Sequence, residues 1–445
     1  MLDINFIRNN SDLVKTNIQN RGLSGEQYEI ESFLEIDQKR SKLQIQIDDL
    51  RAERNKISDV VGRPDPIVIE KGRLIKEQIK VFEDQLKEVE TKWQWHMDWF
   101  PNMLDPDVPI GKDESENIEI IAWSPQEGQF AKDKLGKKDF SKEWMPKLSF
   151  EGKDHVALGK ELNIVDVEQS AVVSGSRFSY LKNEAALLQF GLFELLKDKL
   201  ISEGFTPMIV PLMVKRRALY GSSHFPGDEN QVYRVESKYI EENQELFLVG
   251  SSEPSLFSYY MDKVITEAEL PQKFFAYTTC FRTEVGSWGK DVRGIKRVHQ
   301  FDKLEMDLIC APEDSTKMQE YLLSINEWLL RELQIPYHVI LMCSGDAGYF
   351  ATAKKYDIEG WLPSQQEFIE LGSNTNARDY QARRYNTRYI KSDGEREYVH
   401  NVNDTGCAMG RMILTIIDNY QQADGSVVVP EALQKYVGKE VIQNG

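Results

Sequence analysis

Cysteine is scarce in this sequence, and long apolar runs are missing. The four cysteines, Cys280, Cys310, Cys343 and Cys407, stand far apart with no CxxC pair, which predicts reduced thiols and argues against a zinc site. No apolar run reaches the ~18 residues that a membrane span needs. The first residues, MLDINFIRNN, lack the apolar core of a signal peptide, so we expect a cytoplasmic protein without a membrane segment.

Positive charge is also in short supply. The formal net charge is −17, which taken alone argues against a nucleic-acid-binding protein. The sequence also lacks the GxxxxGK[ST] loop with which many ATP-binding proteins hold phosphates. Residues 51–80 are an exception, because they carry eight basic and five acidic side chains. That local excess indicates either a solvated helix surface or a contact for a polyanion.

Two segments repeat their apolar residues in heptads. Residues 31–61 and 75–93 place these residues three, four or seven positions apart, as do helices that pair in a coiled coil. Between them Gly62, Pro64 and Pro66 cannot continue a helix. The pattern therefore predicts an antiparallel coiled-coil hairpin over about residues 31–100.

The length of the chain suits two domains, and we place a linker between them. The expected N-terminal domain covers 1–105 and includes the hairpin, the linker covers 106–125, where the sequence starts proline-rich and acidic, and an α+β domain covers 126–445. In this second domain we expect a helix from about Glu184 to Ser202 and then a strand at 206–211. Prolines confine that strand to an edge, which is either covered within the chain or the contact of a homodimer.

The segment FRTEVGSWGKDVRGIKRVHQFDKLEMDL, residues 281–308, predicts two strands around a glycine-rich loop. Alternation puts Leu304 and Met306 on one face and Phe301, Lys303 and Glu305 on the other. Charged side chains are costly to bury without partners. The pattern fits a site for a polyanion with an aromatic base, in which arginine takes phosphate and Phe301 stacks on the base. A surface hairpin with salt bridges is the alternative.

A second candidate cluster lies nearer the C-terminus. The segment GCAMGRMILTIIDNY, residues 406–420, predicts an amphipathic helix with Arg411 beside its apolar face. Arg411 is either a surface residue whose stem covers apolar neighbours or a phosphate clamp near a helix start. Upstream, Glu370 and Ser373 offer oxygen ligands for a magnesium ion.

Taken together, these motifs resemble the class II aminoacyl-tRNA synthetases, and specifically the seryl-tRNA synthetase family. The helix and strand that end at Pro211 are similar to the first class motif, residues 281–305 to the second, and GCAMGR to the third. Five further stretches resemble the seryl branch, namely HQFDK, VSGSRF, YDIEGWLPSQ, ARDYQARR and DNYQQADGSVVVPEAL. The resemblance runs from MLDINFIRNN over essentially the whole chain.

The resemblance implies a fold and a reaction. The fold would be a class II antiparallel sheet flanked by helices, preceded by the coiled-coil arm. The enzyme would use ATP and Mg²⁺, without zinc, to convert L-serine to seryl-adenylate and pyrophosphate. It would then transfer serine to the 3′ end of tRNA(Ser), and by family resemblance also of tRNA(Sec), as a homodimer. Two alternatives stay open: a paralogue that serylates a carrier protein, and a non-catalytic RNA-binding protein on a decayed synthetase fold.

The resemblance also implies roles for particular residues. Arg282, Glu284 and Arg411 would be catalytic, Glu370 and Ser373 would hold Mg²⁺, and Glu305 would take the serine ammonium group. The expected ATP-binding residues are Arg282, Thr283, Glu284, Val298, Phe301, Glu370, Leu371, Gly372, Ser373 and Arg411. The expected serine-binding residues are Ser251, Ser252, Glu253, Arg282, Glu305, Asn403 and Thr405. The expected tRNA-binding residues of the arm are Arg51, Arg54, Lys56, Arg63, Lys71, Arg73 and Lys76.

Three positions depart from the family's usual pattern. Ser251 stands where threonine is usual, and Gly372 stands where a serine is usual. Asp404 adds a carboxylate to the lead-in of the third class motif, where we expect it to lie near the substrate. The departures bear on the affinities for serine and ATP and leave the implied reaction class unchanged.

Overall fold

The computed structural model describes residues 1–58, 65–130, 136–238, 245–286, 294–348 and 350–443. The chain forms two compact units, Met1–Pro101 and Asn102–Gly445. Within the described ranges, no helix combines the length and the apolar character that crossing a membrane requires.

The N-terminal unit is helical. Its helices are α1 (Ile4–Asn9), α2 (Ser11–Asn20), α3 (Ile30–Ser58) and α4 (Pro66–Trp99). Apolar side chains from both long helices are buried along their contact, among them Leu43, Ile47, Ile75 and Ile79. Ion pairs cross from α3 to α4, Arg40 with Glu90 and Arg51 with Glu83. The partner's number falls as the first number rises, so the two helices run antiparallel and the predicted hairpin is confirmed.

Helix α4 begins earlier than its heptad pattern indicates. The side chain of Asp65 accepts a hydrogen bond from the Ile67 amide at 2.9 Å, which caps the helix. Pro66 occupies the first turn, where its missing N–H costs nothing and its fixed backbone angle is already helical. The 34 residues of α4 therefore span about 51 Å.

The second unit mixes helices and strands. Its helices are α5 (His155–Glu161), α6 (Glu168–Ser174), α7 (Asn183–Ser202), α8 (Arg216–Gly221), α9 (Glu253–Ser258), α10 (Ser315–Glu332), α11 (Tyr380–Tyr385), α12 (Met409–Tyr420) and α13 (Glu431–Val437). Its strands are β1 (Ile118–Ser124), β2 (Gly128–Phe130), β3 (Val165–Asp166), β4 (Tyr180–Leu181), β5 (Thr206–Pro207), β6 (Met213–Lys215), β7 (Arg234–Val235), β8 (Leu246–Leu248), β9 (Val264–Thr266), β10 (Gln272–Phe281), β11 (Gln300–Cys310), β12 (Tyr337–Leu341), β13 (Lys354–Leu362), β14 (Glu367–Arg378), β15 (Arg388–Ile390), β16 (Arg396–Tyr398), β17 (His400–Ala408), β18 (Val427–Val428) and β19 (Val441–Ile442).

Nine of these strands form the main sheet, in the order β2-β1-β12-β13-β14-β17-β11-β10-β5. Neighbours are antiparallel, except that β5 pairs parallel with β10. One face packs against α7, α10 and α12 in the main apolar core, which includes Leu304, Met306 and Leu308. Because side chains alternate along β11, Lys303 and Glu305 lie on the opposite face.

The structure differs from the sequence prediction at strand β1 and adds a detail at strand β5. Strand β1 lies inside the segment predicted to be a linker and pairs with β12 from Ile118 to Trp123. The acidic, proline-rich start of that segment concealed the alternating apolar residues that follow it. At the other end of the sheet, β5 is an edge strand, and the side chain of Ile209 just beyond it is fully exposed.

Candidate active site

A cleft opens on the face of the main sheet that carries Lys303 and Glu305. It measures about 1200 Å³, including its open mouth. The residues predicted to bind ATP or serine that line it are Ser251, Glu253, Arg282, Glu284, Val298, Phe301, Glu305, Glu370, Leu371, Gly372, Ser373, Asn403, Thr405 and Arg411. Residues far apart in the chain thus meet because β10, β11, β14, β17 and the start of α12 border one space.

Two predicted residues do not line the cleft. Ser252 is fully buried where α9 begins, because the turn that starts this helix directs its side chain inward. Thr283 donates its hydroxyl to the carbonyl of Asn230 at 2.6 Å and so holds the end of the β10–β11 hairpin.

One end of the cleft holds a buried polar cluster around Glu305. Lys303 forms an ion pair with Glu305, and its ammonium donates to the hydroxyl of Ser251 at 2.9 Å and to that of Thr405 at 3.4 Å. The side-chain amide of Asn403 donates to Glu305 at 3.4 Å. A buried carboxylate beside two hydroxyls can bind a small ligand that carries both an ammonium and a hydroxyl group.

A second carboxyl, that of Glu253, stands at the same end. It accepts a hydrogen bond from the side-chain amide of Gln381 at 2.7 Å. Burial, and then the negative charge of Glu305, raise the pKa of Glu253 to about 7. This end of the cleft therefore holds a proton near neutral pH.

In the middle of the cleft an arginine stands over an aromatic ring. The guanidinium carbon of Arg282 lies 5.3 Å from the centre of the Phe301 ring, a cation–π distance. The Nε atom of Arg282 donates to the carbonyl of Gly250 at 3.1 Å, which fixes the side chain. The arrangement can hold a phosphate next to a stacked base.

The far end of the cleft is charged. Arg411 donates to the backbone carbonyl of Glu370 at 2.9 Å and pairs with its carboxylate at 3.1 Å. Burial opposes the charge on Glu370, but Arg411 and Lys355 together lower its pKa to about 2. Lys355 is itself paired with Asp357 at 3.0 Å. An ionised carboxylate among cations can bind a metal ion while the cations bind phosphate.

A register shift explains how Glu370 and Ser373 face the same space. Side chains three residues apart on a regular strand point to opposite faces. Between β13 and β14 the register shifts by one residue, so that Ile358 is opposite Gly372 and Glu359 is opposite Glu370. Such an irregularity re-aims the following side chain. Both Glu370 and Ser373 therefore line the cleft, while Leu371 also reaches the core.

The glycine at 372 is explained by the neighbouring strand. A Cβ atom at this position would lie 2.6 Å from the carbonyl oxygen of Thr405 and 3.4 Å from its Cβ. The first distance is shorter than any stable contact, and its partner is backbone. Gly372 thus lets β14 approach Thr405, one of the residues of the serine end.

The expectation for Asp404 is wrong. Its carboxylate is fully buried and accepts a hydrogen bond from the side-chain amide of Asn374 at 2.5 Å. That amide also donates to the carbonyl of Gln319 in α10, so Asp404 faces the helix side of the sheet. The alternation of β17 turns it away from the cleft, while Asn403 and Thr405 line the cleft.

Sequence reasoning gave no role to several lining residues, among them Lys303, Lys355 and Gln381. Lys303 was recognised as an unusual charge in a strand but was given no role. Lys355 and Gln381 also line the cleft, and both stand in or beside segments that carry the family resemblance. Their signal was a charged or amide side chain within an otherwise apolar strand or helix, which does not reveal which way the side chain points.

Comparison with known proteins agrees with this geometry. Residues 1–104 match the model of the seryl-tRNA synthetase N-terminal domain, and residues 233–420 match the tRNA synthetase class II core domain (G, H, P, S and T). The serine–tRNA ligase of Dictyoglomus turgidum is 40% identical over 443 residues, which are 98% of each chain. The enzyme of Rubrobacter xylanophilus is 37% identical, over 99% of each chain.

Solved structures show the same relationship. The seryl-tRNA synthetase of Pyrococcus horikoshii, in complex with ATP, superposes with a TM-score of 0.89 at 36% identity and covers 100% of each chain. The cytoplasmic serine–tRNA ligase of Naegleria fowleri, in complex with AMP, superposes with a TM-score of 0.82 at 27% identity and covers 100% of this chain and 99% of that one. The chain belongs to the seryl-tRNA synthetase family.

Proposed function

We propose that the cleft is where this protein, as a serine–tRNA ligase, joins serine to ATP. The observation that carries the proposal is that three groupings of side chains line one cleft. They are Glu305 with Ser251 and Thr405, Arg282 over Phe301, and Arg411 with Glu370. These groupings suit, in turn, the ammonium and hydroxyl of serine, a base beside the α-phosphate, and a further phosphate.

The residues assigned to serine position it through paired polar groups. Glu305 takes the ammonium group, and the hydroxyls of Ser251 and Thr405 together with Lys303 surround the side chain. Glu253 and Asn403 complete the wall. A site built from buried donors and acceptors rejects alanine, because the missing hydroxyl would leave those groups unpaired.

The residues assigned to ATP neutralise and orient its phosphates. Arg282 binds the α-phosphate, Glu284 the adenosine, and Arg411 the γ-phosphate. Phe301 stacks on adenine, with Val298 beside it. A carboxylate oxygen of serine then attacks the α-phosphorus, a new O–P bond forms, and the bond to pyrophosphate breaks. Positioning and charge neutralisation supply most of the acceleration in such a displacement.

Magnesium fits the far end of the cleft. Glu370 is ionised there, and the register shift brings the Ser373 hydroxyl to the same side, which gives the oxygen donors that Mg²⁺ prefers. When bound between these residues, Mg²⁺ would offset the negative charge of the triphosphate.

The second half-reaction needs tRNA. The 3′-terminal ribose hydroxyl attacks the carbonyl carbon of the seryl-adenylate, an ester bond forms, and AMP leaves. We assign the recognition of tRNA(Ser) to the α3–α4 arm. A matched seryl-type N-terminal domain favours this partner over a carrier protein and over a decayed, non-catalytic fold. Charging of tRNA(Sec) stays a prediction from the family, and the cytoplasm is the proposed location, since tRNA charging supplies translation.

The described arm cations are exposed, and several of them pair with carboxylates. Arg51 pairs with Glu83, Lys71 with Glu53, and Arg73 with Glu70 and Glu77. Exposed pairs of this kind are weak, about 0–1 kcal/mol, so a phosphate can replace the carboxylate. Arg54, Lys56 and Lys76 are also exposed, and Arg63 lies outside the described residues.

We also propose a homodimer that uses the edge of the main sheet. Exposed apolar side chains include Ile209 just beyond β5 and, on α7, the helix that precedes β5 in the chain, Phe190 and Ile201. An edge strand with apolar neighbours is a suitable contact for a second copy. The molar mass in sedimentation equilibrium tests this: twice the chain mass of 51.4 kDa is expected, and a single chain mass would overturn it.

Serine-dependent ATP–pyrophosphate exchange tests the reaction, with transfer of labelled serine to total tRNA measured beside it. We expect both activities. In Glu305→Gln we expect the KM for serine to rise roughly 30- to 150-fold, because a charged hydrogen bond is worth about 2–3 kcal/mol, while ATP binding changes little. Asp302→Asn is the matched control, since Asp302 lies on the same strand and binds Gln189 and Thr279. An unchanged serine KM in Glu305→Gln would contradict the assigned pocket.

A further inference from the structure

Asp307 lies two residues beyond Glu305 on β11, on the same face of the strand. Its register neighbours are Phe274 on β10 and Asn403 on β17. The side chain has no solvent exposure, and neither of its carboxyl oxygens has a hydrogen-bond partner in the described part of the chain. A carboxyl group in that position is costly whether charged or neutral, so it calls for a compensating partner.

The charged and titratable groups that face Asp307 come from four elements. They are Lys303 and Glu305 on β11, Glu253 on α9, Asp404 on β17 and Tyr385 on α11. From β10, Ala276 stands opposite Glu305, and both it and Phe274 are apolar. Near the serine end, then, Glu253, Glu305 and Asp307 on the cleft side of the sheet share one lysine.

Three carboxyl groups around one ammonium cannot all be ionised in a buried site, since like charges disfavour one another there. Burial raises the pKa of Asp307 well above its ordinary value, and the charges of Glu305 and Glu253 act in the same direction. Because Lys303 pairs with Glu305 and neither oxygen of Asp307 has a hydrogen-bond partner among the described residues, the unbound enzyme favours the protonated form of Asp307.

We infer that Asp307 is a positioning residue for the amino-acid substrate: when the ammonium group of serine binds beside Glu305, the carboxyl of Asp307 releases its proton to solvent. The bound ammonium supplies a second positive charge to the cluster, so a second carboxylate becomes favourable. Only the O–H bond of the Asp307 carboxyl breaks: the electron pair stays on the oxygen, and the proton is taken up by buffer. The inference rests on the proposed role of Glu305.

This proton release predicts how the affinity for serine depends on pH. Because substrate binding releases a proton, the affinity for serine rises with pH, as long as the serine amine itself remains protonated. An asparagine at 307 cannot release a proton, so in Asp307→Asn the affinity depends much less on pH. The adenosine and phosphate contacts lie elsewhere in the cleft, so the affinity for AMP stays the same in the variant.

Calorimetry can count the proton. The probe is seryl sulfamoyl adenosine, a non-hydrolysable mimic of the adenylate that keeps the ammonium group, titrated into the full-length enzyme in phosphate and in Tris. These buffers differ in protonation enthalpy, so the difference in observed heat gives the protons released. We expect release from the wild type and from Asp302→Asn, and at most half as much from Asp307→Asn. Since one released proton changes Kd about tenfold per pH unit, the wild-type Kd should fall about 100-fold from about pH 6 to about pH 8, and at most about tenfold in Asp307→Asn.

Other outcomes are equally decisive. Equal proton release from the wild type and Asp307→Asn would overturn the inference and assign the proton to Glu253. If the variant does not fold, Glu253→Gln decides: unchanged proton release would support Asp307, and loss of release would assign the proton to Glu253 and overturn the inference. The pocket assignment fails separately: if Glu305→Gln binds the mimic as tightly as the wild type, then Glu305 does not hold the ammonium group. Weak binding by Glu305→Gln with no effect of Asp307→Asn on proton release would leave the pocket standing and reject only the role of Asp307.

Discussion

At the scale of single residues, the tightest constraint in the cleft is the contact of Gly372 with the backbone of Thr405. The residue before it, Leu371, reaches the core, and the residue after it, Ser373, faces the cleft. A side chain at 372 would have to push β14 and β17 apart beside Thr405. The glycine therefore acts through geometry, although serine is the usual residue in this family.

Gly372→Ser tests this reading. We expect the variant to lose about tenfold or more in kcat/KM for pyrophosphate exchange, because overpacking against backbone costs about 1–3 kcal/mol and displaces Thr405. Gly136→Ser is the matched control, since a Cβ atom there has no neighbour within 4 Å. Full exchange activity in Gly372→Ser would mean that the strands separate freely at this point.

The residue types and their order in the sequence were enough to identify most residues of the site. Charged side chains within strands are unusual enough to indicate a ligand site, which identified Arg282 and Glu305, and alternation placed Phe301 on the same face as Glu305. Direction could not be predicted in the same way. The register shift at Leu371 turns Ser373 into the cleft, and the alternation of β17 turns Asp404 away from it. The directions of both side chains depend on how the strands pair, and the periodicity of a single segment carries no information about pairing.

At the scale of secondary-structure elements, a buried histidine ties three strands together. His338 on β12 is fully buried, with Nδ1 2.6 Å from the carboxylate of Glu119 on β1 and Nε2 2.9 Å from that of Glu359 on β13. Its ring stacks on Phe368 of β14 at 3.6 Å. Burial lowers the pKa of His338, but its bonds to the two glutamates outweigh burial and raise it. Strand β1, missed within the predicted linker, is thus held to the sheet by this histidine as well as by its pairing with β12.

The raised pKa fixes how stability depends on pH. The contribution of a protonated His338 is fully present below the pKa of an unfolded histidine, about 6.5, and is lost as the pH rises through the higher folded value. We expect His338→Gln to be less stable than the wild type by about 2 kcal/mol at pH ~6, with a smaller difference at pH ~9. Thermal or urea unfolding at both pH values measures it. A difference that grows with pH would show that His338 is neutral in the folded protein.

At the scale of the whole molecule, the two compact units divide the work between them. The catalytic unit holds every residue that we assign to serine and ATP, and the helical unit holds the cations that we assign to tRNA. A hairpin whose long helix spans about 51 Å buries little surface per residue. The free energy of binding a partner along the hairpin would offset the conformational entropy that is lost when it folds. The division predicts that the two half-reactions can be separated by deletion.

The base of the arm shows where to cut. Arg40 and Glu90 lie opposite each other at 3.4 Å, so residues 41–89 can be removed and the ends joined by a short glycine–serine turn. Below the cut, the indole of Trp93 still donates to Asp37 at 2.9 Å, which keeps α3 and α4 paired.

We expect this deletion to spare serine-dependent pyrophosphate exchange within about twofold and to reduce tRNA charging at least about a hundredfold, since electrostatic and shape contacts to the RNA backbone supply most of such affinity. Replacing Arg51, Arg54 and Lys56 with alanine should lower charging in the intact arm and weaken its dependence on salt. Loss of exchange together with charging would instead show that the arm supports the folding of the catalytic unit, and retention of charging would place tRNA recognition outside the arm.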